Sequence, residues 1–234
     1  MNDKNILDYT DQEYRDLVQQ IVKNGSAVLH DQKLTRQELA QVCARMGKVE
    51  ELDYFMNPVD SPQISIVSGK VVDGKAIGMF GPTELEWHAN GTGRYNFDEI
   101  CVGLYCETEC IDTVLSLVDQ RSSFTNLSES DKEYFRSIEI NLNNEGPRAK
   151  IWRDDGEYSK AYKEFDVFFE RLNSVVTRSR YMVHHVFREG DLLFMDQLIT
   201  SHRRSAVKNK DRQLWRTAFD YSVAVDNYKP VRFK

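Results

Sequence analysis

The chain has 234 residues, of which 41% are hydrophobic, 29% charged and 11% aromatic. This composition is typical of one soluble globular domain over residues 1–234, and it excludes a disordered chain. A membrane span is also excluded, because no apolar run approaches the roughly 18 to 20 residues that a bilayer requires. With a net charge of −6 and no cluster of basic residues, nucleic acid is not expected as a partner.

Two capping boxes predict helices near the amino terminus. Residues 10–13 and 35–38 both have the pattern Thr-x-x-Glu, and apolar residues recur at helical spacing after each of them. The first helix is expected to end at Gly25 and the second at Gly47. The apolar residues 26–30 between them predict a short strand.

The rest of the chain is dominated by short strand-like runs. A further helix is predicted at 159–176, where apolar residues return to helical spacing. The pattern lacks strict alternation of strands and helices, so it favours a mainly β protein, an antiparallel sandwich with added helices. The predicted strands, which are short and rich in β-branched or aromatic residues, are 64–67, 100–106, 114–118, 181–187, 192–195 and 214–223.

The cysteines and the amino terminus both indicate a cytoplasmic protein. The four cysteines form no CxxC pair and no evident disulfide framework, so buried free thiols are predicted. Residues 1–5 lack the basic and apolar segments of a secretory signal.

The most informative stretch is 84–91, Glu-Leu-Glu-Trp-His-Ala-Asn-Gly. Alternate residues of an extended strand share one face, so His88 and Asn90 are expected to project together and could bind one ion. Non-haem iron(II) sites use two histidines and one carboxylate. Position 90 therefore has an amide where a carboxylate ligand is expected.

Four sequence blocks, at 85–90, 112–113, 190–204 and 212–216, occur in this order. With them the chain resembles the taurine dioxygenase-like (TauD/TfdA) family of iron(II)- and 2-oxoglutarate-dependent oxygenases. The resemblance covers residues 10–223 and implies a double-stranded β-helix, or jelly roll, with iron at its mouth. It also implies 2-oxoglutarate as cosubstrate, molecular oxygen and a small-molecule substrate.

The resemblance also implies roles for individual residues. His88 and His202 match the iron-binding histidines, and Asn90 stands at the position of the aspartate ligand. Thr113 and Arg212 match the residues that hold the far carboxylate of 2-oxoglutarate. Arg216 matches a position used for an anionic substrate group in some members.

Other assignments rest on the residue types and their spacing. Arg212 and Arg216 would share one face of a strand, so their two roles could be exchanged. Arg203 and Arg204 are expected to form a solvated basic edge. His184 and His185 are expected to be structural, since neighbouring residues of a strand face opposite ways.

Asn90 leaves several interpretations open. In the first, the amide binds weakly, or water or a nearby acid such as Glu84, Glu86 or Asp98 replaces it, and the enzyme still oxidises its substrate. In the second, a neutral position accommodates a halide and the product is halogenated; this ranks lower, because asparagine is larger than glycine or alanine. In the third, the chain binds 2-oxoglutarate or another small acid without turnover. In the fourth, deamidation of Asn90 before Gly91 restores the carboxylate.

The predicted activity is oxidation, most simply hydroxylation, of a small polar, anionic or amino-acid-like molecule. Arg216 suggests an anionic group on the substrate, and residues 84, 86, 94 and 95 could select a zwitterion. A non-catalytic relative that binds a small acid is the alternative. Neither the substrate nor the oligomeric state follows from the sequence.

Overall fold

The computed structural model describes residues 4–51, 57–58, 60–90, 100–136, 170–171, 173–174 and 182–221. The helices are a 3-10 turn at Ile6–Asp8, α1 (Asp11–Asn24), α2 (Arg36–Met46), α3 (Gln120–Thr125) and α4 (Glu129–Arg136). The strands are β1 (Ser26–Leu29), β2 (Lys48–Val49), β3 (Ser65–Ser68), β4 (Val71–Val72), β5 (Lys75–Ala76), β6 (Leu85–His88), β7 (Cys101–Thr108), β8 (Val114–Asp119), β9 (Val183–Val186), β10 (Leu192–Asp196), β11 (Thr200–Arg204) and β12 (Gln213–Asp220).

Both predicted capping boxes are present at the starts of α1 and α2. In α1 the Thr10 side chain accepts a hydrogen bond from the Glu13 backbone N–H, and the Glu13 carboxylate accepts one from the Thr10 backbone N–H. Helix α1 ends at Gly25, whose φ of 80° lies in the left-handed region that glycine adopts without strain. The amino-terminal predictions are therefore confirmed.

Glu13 should titrate at unusually low pH. Its ion pair with Lys4, at 2.8 Å, and the hydrogen bonds from Thr10 lower its pKa from 4.5 to about 2. The depressed pKa means that the stabilising contribution is complete above about pH 4.5 and is lost as the pH falls through about 2. An NMR titration of the Glu13 side-chain carboxyl would measure this pKa. Lys4→Met should raise it towards its ordinary value, and an unchanged pKa in that variant would contradict the assignment.

Two antiparallel sheets form the body of the fold. The major sheet has the order β1-β10-β7-β12-β2, with β3 also paired to β12, and the minor sheet has the order β6-β11-β8-β9. Among the described residues, β4 and β5 form a separate hairpin. These elements match the predicted mainly β architecture, and β6 lies at the edge of the minor sheet.

Alternating side chains of the major sheet face two different cores. In β10, Leu192 and Phe194 pack in a cluster that includes residues of α1 and α2, whereas Leu193 and Met195 pack in a cluster with Leu115 and other residues of the minor sheet. The major sheet therefore lies between the helices and the minor sheet, as the two-residue period of a strand requires. The second cluster continues into the cavity described below.

Several sequence predictions are completed or corrected by the structure. All four cysteines are buried and free, as predicted. The predicted helix 159–176 lies outside the described residues except at 170–171 and 173–174, which are helical. Strand β11 and helices α3 and α4 were not predicted as elements. No helix within the described ranges is long and apolar enough to cross a membrane.

Candidate functional site

One cavity between the two sheets collects the residues that the sequence singled out. Its apolar wall includes Phe80, Leu85, Phe187 and Met195, contributed by both sheets and by the segment before β6. Its polar wall contains all six predicted site residues, which come from distant parts of the chain: His88, Asn90, Thr113, His202, Arg212 and Arg216.

The two histidines lie opposite each other on neighbouring strands. His88 of β6 is the direct partner of His202 of β11, and their ring centroids are 4.2 Å apart. The His88 Nδ1 atom lies 2.6 Å from the carbonyl oxygen of Glu86. A carbonyl can only accept, so Nδ1 carries the proton and Nε2 has the free lone pair that a metal ion requires.

The histidines are held in the neutral form that binds metal ions. Burial lowers the pKa of His88, and burial together with His88 and Arg216 lowers the pKa of His202. The His202 Nδ1 atom is buried and has no hydrogen-bond partner among the described residues. Buried polar atoms normally have partners, so the His202 ring is suited to an additional ligand.

Asn90 reaches the cavity in a different way from the one predicted. Strand β6 ends at His88, and Asn90 lies in a turn. The prediction that the two residues share the face of one strand is therefore wrong, although both line the cavity. The Asn90 backbone N–H donates to Oε1 of Gln197 at 2.9 Å, so a buried side chain holds this turn.

No described carboxylate replaces the missing ligand. A β-bulge lies between β6 and β11, since His202 pairs with His88 whereas Arg204 pairs with Leu85. Leu85 therefore joins His88 in the cavity wall, and the prediction that the carboxylates at positions 84 and 86 share the face of His88 is wrong. Glu86 is exposed.

Glu84 does not replace the ligand either, because it lies outside the cavity lining and forms an ion pair with Arg203 at 3.3 Å. Asp98 lies outside the described residues. Among the described residues, no three His, Cys, Asp or Glu side chains form a metal-binding group. The ligands that this site could offer to iron(II) are therefore two neutral imidazoles and an amide, a weaker set than two histidines with a carboxylate.

Thr113 and Arg212 lie in two loops that are tied together. Thr113 precedes β8, Arg212 precedes β12, and the Asn209 backbone N–H donates to Oδ2 of Asp112 at 2.9 Å between the loops. The Thr113 hydroxyl donates to Oδ1 of the same carboxylate at 3.1 Å. Both side chains line the cavity, so the Arg212 guanidinium is available there for a carboxylate ligand, whereas the single Thr113 hydroxyl proton would have to turn from Asp112 to reach such a ligand.

Arg212 and Arg216 extend this polar wall along β12. Both are only 2% exposed, and Leu214 between them faces the same cavity. This confirms the expectation that both arginines share one face. Burial lowers the pKa of Arg212, and its Nε atom has no hydrogen-bond partner among the described residues.

The predicted solvated basic edge of Arg203 and Arg204 is correct in part for Arg203 and wrong for Arg204. Arg203 is partly exposed and lies over the Trp87 ring. Arg204 was expected in the solvated basic edge, but it is 5% exposed and lines the cavity. Its guanidinium donates to the carbonyl oxygens of Phe80 at 3.4 Å, of Gly81 at 2.9 Å and of Thr83. It therefore fixes the segment before β6.

Replacing Arg204 with methionine should lower the free energy of unfolding by about 2 to 4 kcal/mol, because three carbonyl oxygens would lose a charged donor. This segment also contains an unfavourable backbone conformation, since Phe80 has a φ of 61°, which is rare for residues other than glycine. Urea denaturation would measure the change. The matched variant Arg203→Met should stay within about 0.5 kcal/mol of the unaltered protein. Equal losses in both variants would refute the anchoring role of Arg204.

His184 and His185 do not line the cavity. His184 contacts the Ser116 hydroxyl at 2.9 Å, whereas the Nε2 atom of His185 lies 3.1 Å from Asp191. Asp191 also contacts His30 at 2.7 Å. These contacts agree with the structural roles predicted for the two histidines.

Gln197 and Arg204 are the residues of this site that sequence reasoning missed. Both lie inside the block 190–204 that contains His202, but an amide in a turn and an arginine beside another arginine carry no distinctive pattern. Their importance depends on partners far away in the chain.

The family described as "Taurine catabolism dioxygenase TauD, TfdA family" matches residues 139–218. This stretch, about a third of the chain, includes His202, Arg212 and Arg216, whereas His88 and Asn90 precede it. No curated protein sequence matches the chain.

Several solved structures share the fold. A putative α-ketoglutarate-dependent taurine dioxygenase from Burkholderia xenovorans has 15% identity and a TM-score of 0.66, over 92% of this chain and 86% of that one. AAD-2, solved with Mn(II) and N-oxalylglycine, has 16% identity and a TM-score of 0.69, over 93% and 92%.

PvcB from Pseudomonas aeruginosa, described as an Fe, α-ketoglutarate-dependent oxygenase from an isonitrile synthetic pathway, has 13% identity and a TM-score of 0.63. The match covers 94% of this chain and 83% of the PvcB chain. At such identities the likeness establishes the fold. The predicted double-stranded β-helix is thus confirmed, and the match of the family model over residues 139–218 confirms the resemblance to the taurine dioxygenase-like family.

Proposed function

We propose that this relative of the taurine dioxygenase-like family is an iron(II)- and 2-oxoglutarate-dependent dioxygenase with a single catalytic domain over residues 1–234. One observation carries the proposal. His88 and His202 face each other across two strands, with ring centroids 4.2 Å apart, in the cavity that also contains the other four predicted site residues.

His88, His202 and Asn90 would hold iron(II), and Thr113 and Arg212 would hold the far carboxylate of 2-oxoglutarate. A guanidinium can give a carboxylate two parallel hydrogen bonds, which fix its direction as well as its charge. The bound metal and cosubstrate supply the oxidising chemistry. The chain supplies their placement, and its apolar side chains exclude water from the reacting centre.

The charge of the polar wall supports the proposed substrate class. Arg216 is buried on the same face as Arg212 and would bind an anionic group of a small polar, anionic or amino-acid-like substrate. Molecular oxygen is the other reactant. The cytoplasmic location expected from the sequence remains a prediction.

Iron(II) and 2-oxoglutarate should be added to the protein without oxygen, and the visible metal-to-ligand charge-transfer band recorded. Oxygen is then admitted and succinate measured. The proposal predicts the band and succinate from the unaltered protein, and the loss of both in His202→Ala. Succinate formation at equal rates in both proteins would overturn the assignment of the site.

A non-catalytic protein that binds a small acid is the second candidate, and the amide at position 90 is the observation that favours it. In that case the unaltered protein would give no band and no succinate, and Asn90→Asp would restore both. A halogenase would instead require a chloride-dependent, chlorinated product, which mass spectrometry can detect. Deamidation at position 90 is eliminated if peptide mass spectrometry finds Asn90 unmodified in active protein.

A further inference from the structure

Gln197 makes three hydrogen bonds, and one of them is to the backbone of Asn90, which lines the cavity. Its side chain is only 3% exposed. Its Oε1 atom accepts from the Asn90 backbone N–H at 2.9 Å, and its Nε2 atom donates to the Met195 carbonyl oxygen at 3.2 Å. A backbone N–H can only donate and a carbonyl can only accept, so these two partners fix the orientation of the amide.

The backbone of Gln197 extends the same connection to the start of β7. Its N–H donates to the carbonyl oxygen of Ile100 at 2.8 Å. One residue therefore holds both Asn90 and Ile100, which flank residues 91–99 in the sequence. Gln197 thus contacts the backbone of the described residues on both sides of this segment.

The turn that carries Gln197 is itself well anchored. The Asp196 carboxylate accepts the backbone N–H groups of Leu198 at 2.7 Å and Ile199 at 3.1 Å. This turn joins β10 to β11, the strand that carries His202. Asn90 is therefore held by the turn that leads directly into the strand of His202.

We propose that Gln197 is a positioning residue, which acts through the backbone of Asn90 to keep position 90 beside His88 and His202. This inference rests on the proposed metal-binding function. A neutral amide is a weak ligand, so its contribution depends on its being held in place, and Gln197 supplies that constraint. Loss of such supporting contacts typically weakens metal binding by about 10- to 100-fold.

Gln197→Met removes the acceptor while keeping a side chain of similar length. Gln32→Met is a matched control, since Gln32 is 4% exposed and its Oε1 atom accepts the Ile6 backbone N–H at 2.7 Å, outside the cavity lining. Gln197→Met removes two hydrogen bonds from the side-chain amide to the backbone, at Asn90 and Met195, and Gln32→Met removes three, at Ile6, Lys4 and His30, so the control disturbs the chain at least as much. Only the first should affect the site.

Hydrogen–deuterium exchange at the Asn90 amide tests the contact without any metal. We expect at least tenfold faster exchange in Gln197→Met and an unchanged rate in Gln32→Met. An unchanged rate in Gln197→Met would overturn the proposal. If that variant does not fold, Gln197→Asn replaces it, because the shorter side chain withdraws the amide from Asn90.

The positioning role is tested by Mn²⁺ binding in the presence of 2-oxoglutarate. The electron paramagnetic resonance signal of the free ion measures this binding. Gln197→Met should bind Mn²⁺ about 10- to 100-fold more weakly, whereas Gln32→Met should stay within about twofold. Faster exchange with unchanged Mn²⁺ affinity would refute the role of Gln197 at the metal.

The same measurements separate this inference from the proposed function. If the unaltered protein binds no Mn²⁺, the metal function fails, and Gln197 is then tested in the Asn90→Asp background. If the double variant Asn90→Asp, Gln197→Met binds Mn²⁺ more weakly than Asn90→Asp alone, the positioning role is supported. Equal Mn²⁺ affinities of these two proteins contradict it. No Mn²⁺ binding in either background overturns both proposals.

Discussion

Asn90→Asp should bind iron(II) at least about 10- to 100-fold more tightly than the unaltered chain. The change restores a full negative charge and an anionic oxygen to a site that otherwise offers two neutral imidazoles and an amide. Losses in the outer shell of metal sites already cost about 10- to 100-fold, so a ligand in direct contact should matter at least as much. Anaerobic titration with iron(II), with the charge-transfer band or calorimetry as the signal, gives the two dissociation constants.

Gln37→Glu is a suitable control for the added charge. Gln37 is exposed in the first turn of α2, where a carboxylate is favourable to the helix, so the variant has the same net charge as Asn90→Asp. Its iron affinity should equal that of the unaltered protein. Equal affinities for all three proteins would show that position 90 is not a metal ligand.

Arg212→Met should raise the dissociation constant for 2-oxoglutarate by about 30-fold or more. Removal of one partner of a buried, hydrogen-bonded charge pair costs about 2 to 5 kcal/mol, and each 1.4 kcal/mol is about a tenfold change in affinity. Arg212 is 2% exposed and lies beside the loop that carries Thr113, so its partner would be fully desolvated. Calorimetry with Mn²⁺ present would measure the affinity.

Arg216→Met is the matched variant, because it removes the same type of side chain from the same wall of the cavity. It should change the affinity for 2-oxoglutarate by less than tenfold and should instead weaken binding of the anionic substrate. The opposite result, with the larger loss in Arg216→Met, would mean that the two arginines exchange their roles.

The sequence was most informative where function depends on local patterns. The capping boxes predicted α1 and α2, and the two-residue period of strands correctly predicted that Arg212 and Arg216 share one face. The motif blocks also predicted which residues gather in the cavity. The first two are properties of short segments and can be read without knowledge of the tertiary structure, whereas the gathering of the blocks in one cavity was implied by the family resemblance.

The errors concern properties that depend on long-range pairing. The bulge between β6 and β11 arises from the way two distant strands pair, so the facing of Leu85 and Glu86 could not be derived from the sequence of β6 alone. Arg204 was placed in solvent because its acceptors are backbone carbonyl oxygens, which every sequence contains. Gln197 was missed for the same reason, since its partner is a backbone N–H.

The anchors of Arg204 and Gln197 have a consequence for how this site can change in evolution or by design. Arg204 holds the segment around residue 80, the pairing of His202 with His88 holds the middle, and Gln197 holds Asn90. All three contacts come from residues 197–204, so this short stretch determines the position of residues 80–90. A graft of 80–90 from a related enzyme should therefore succeed only when 197–204 is transferred with it.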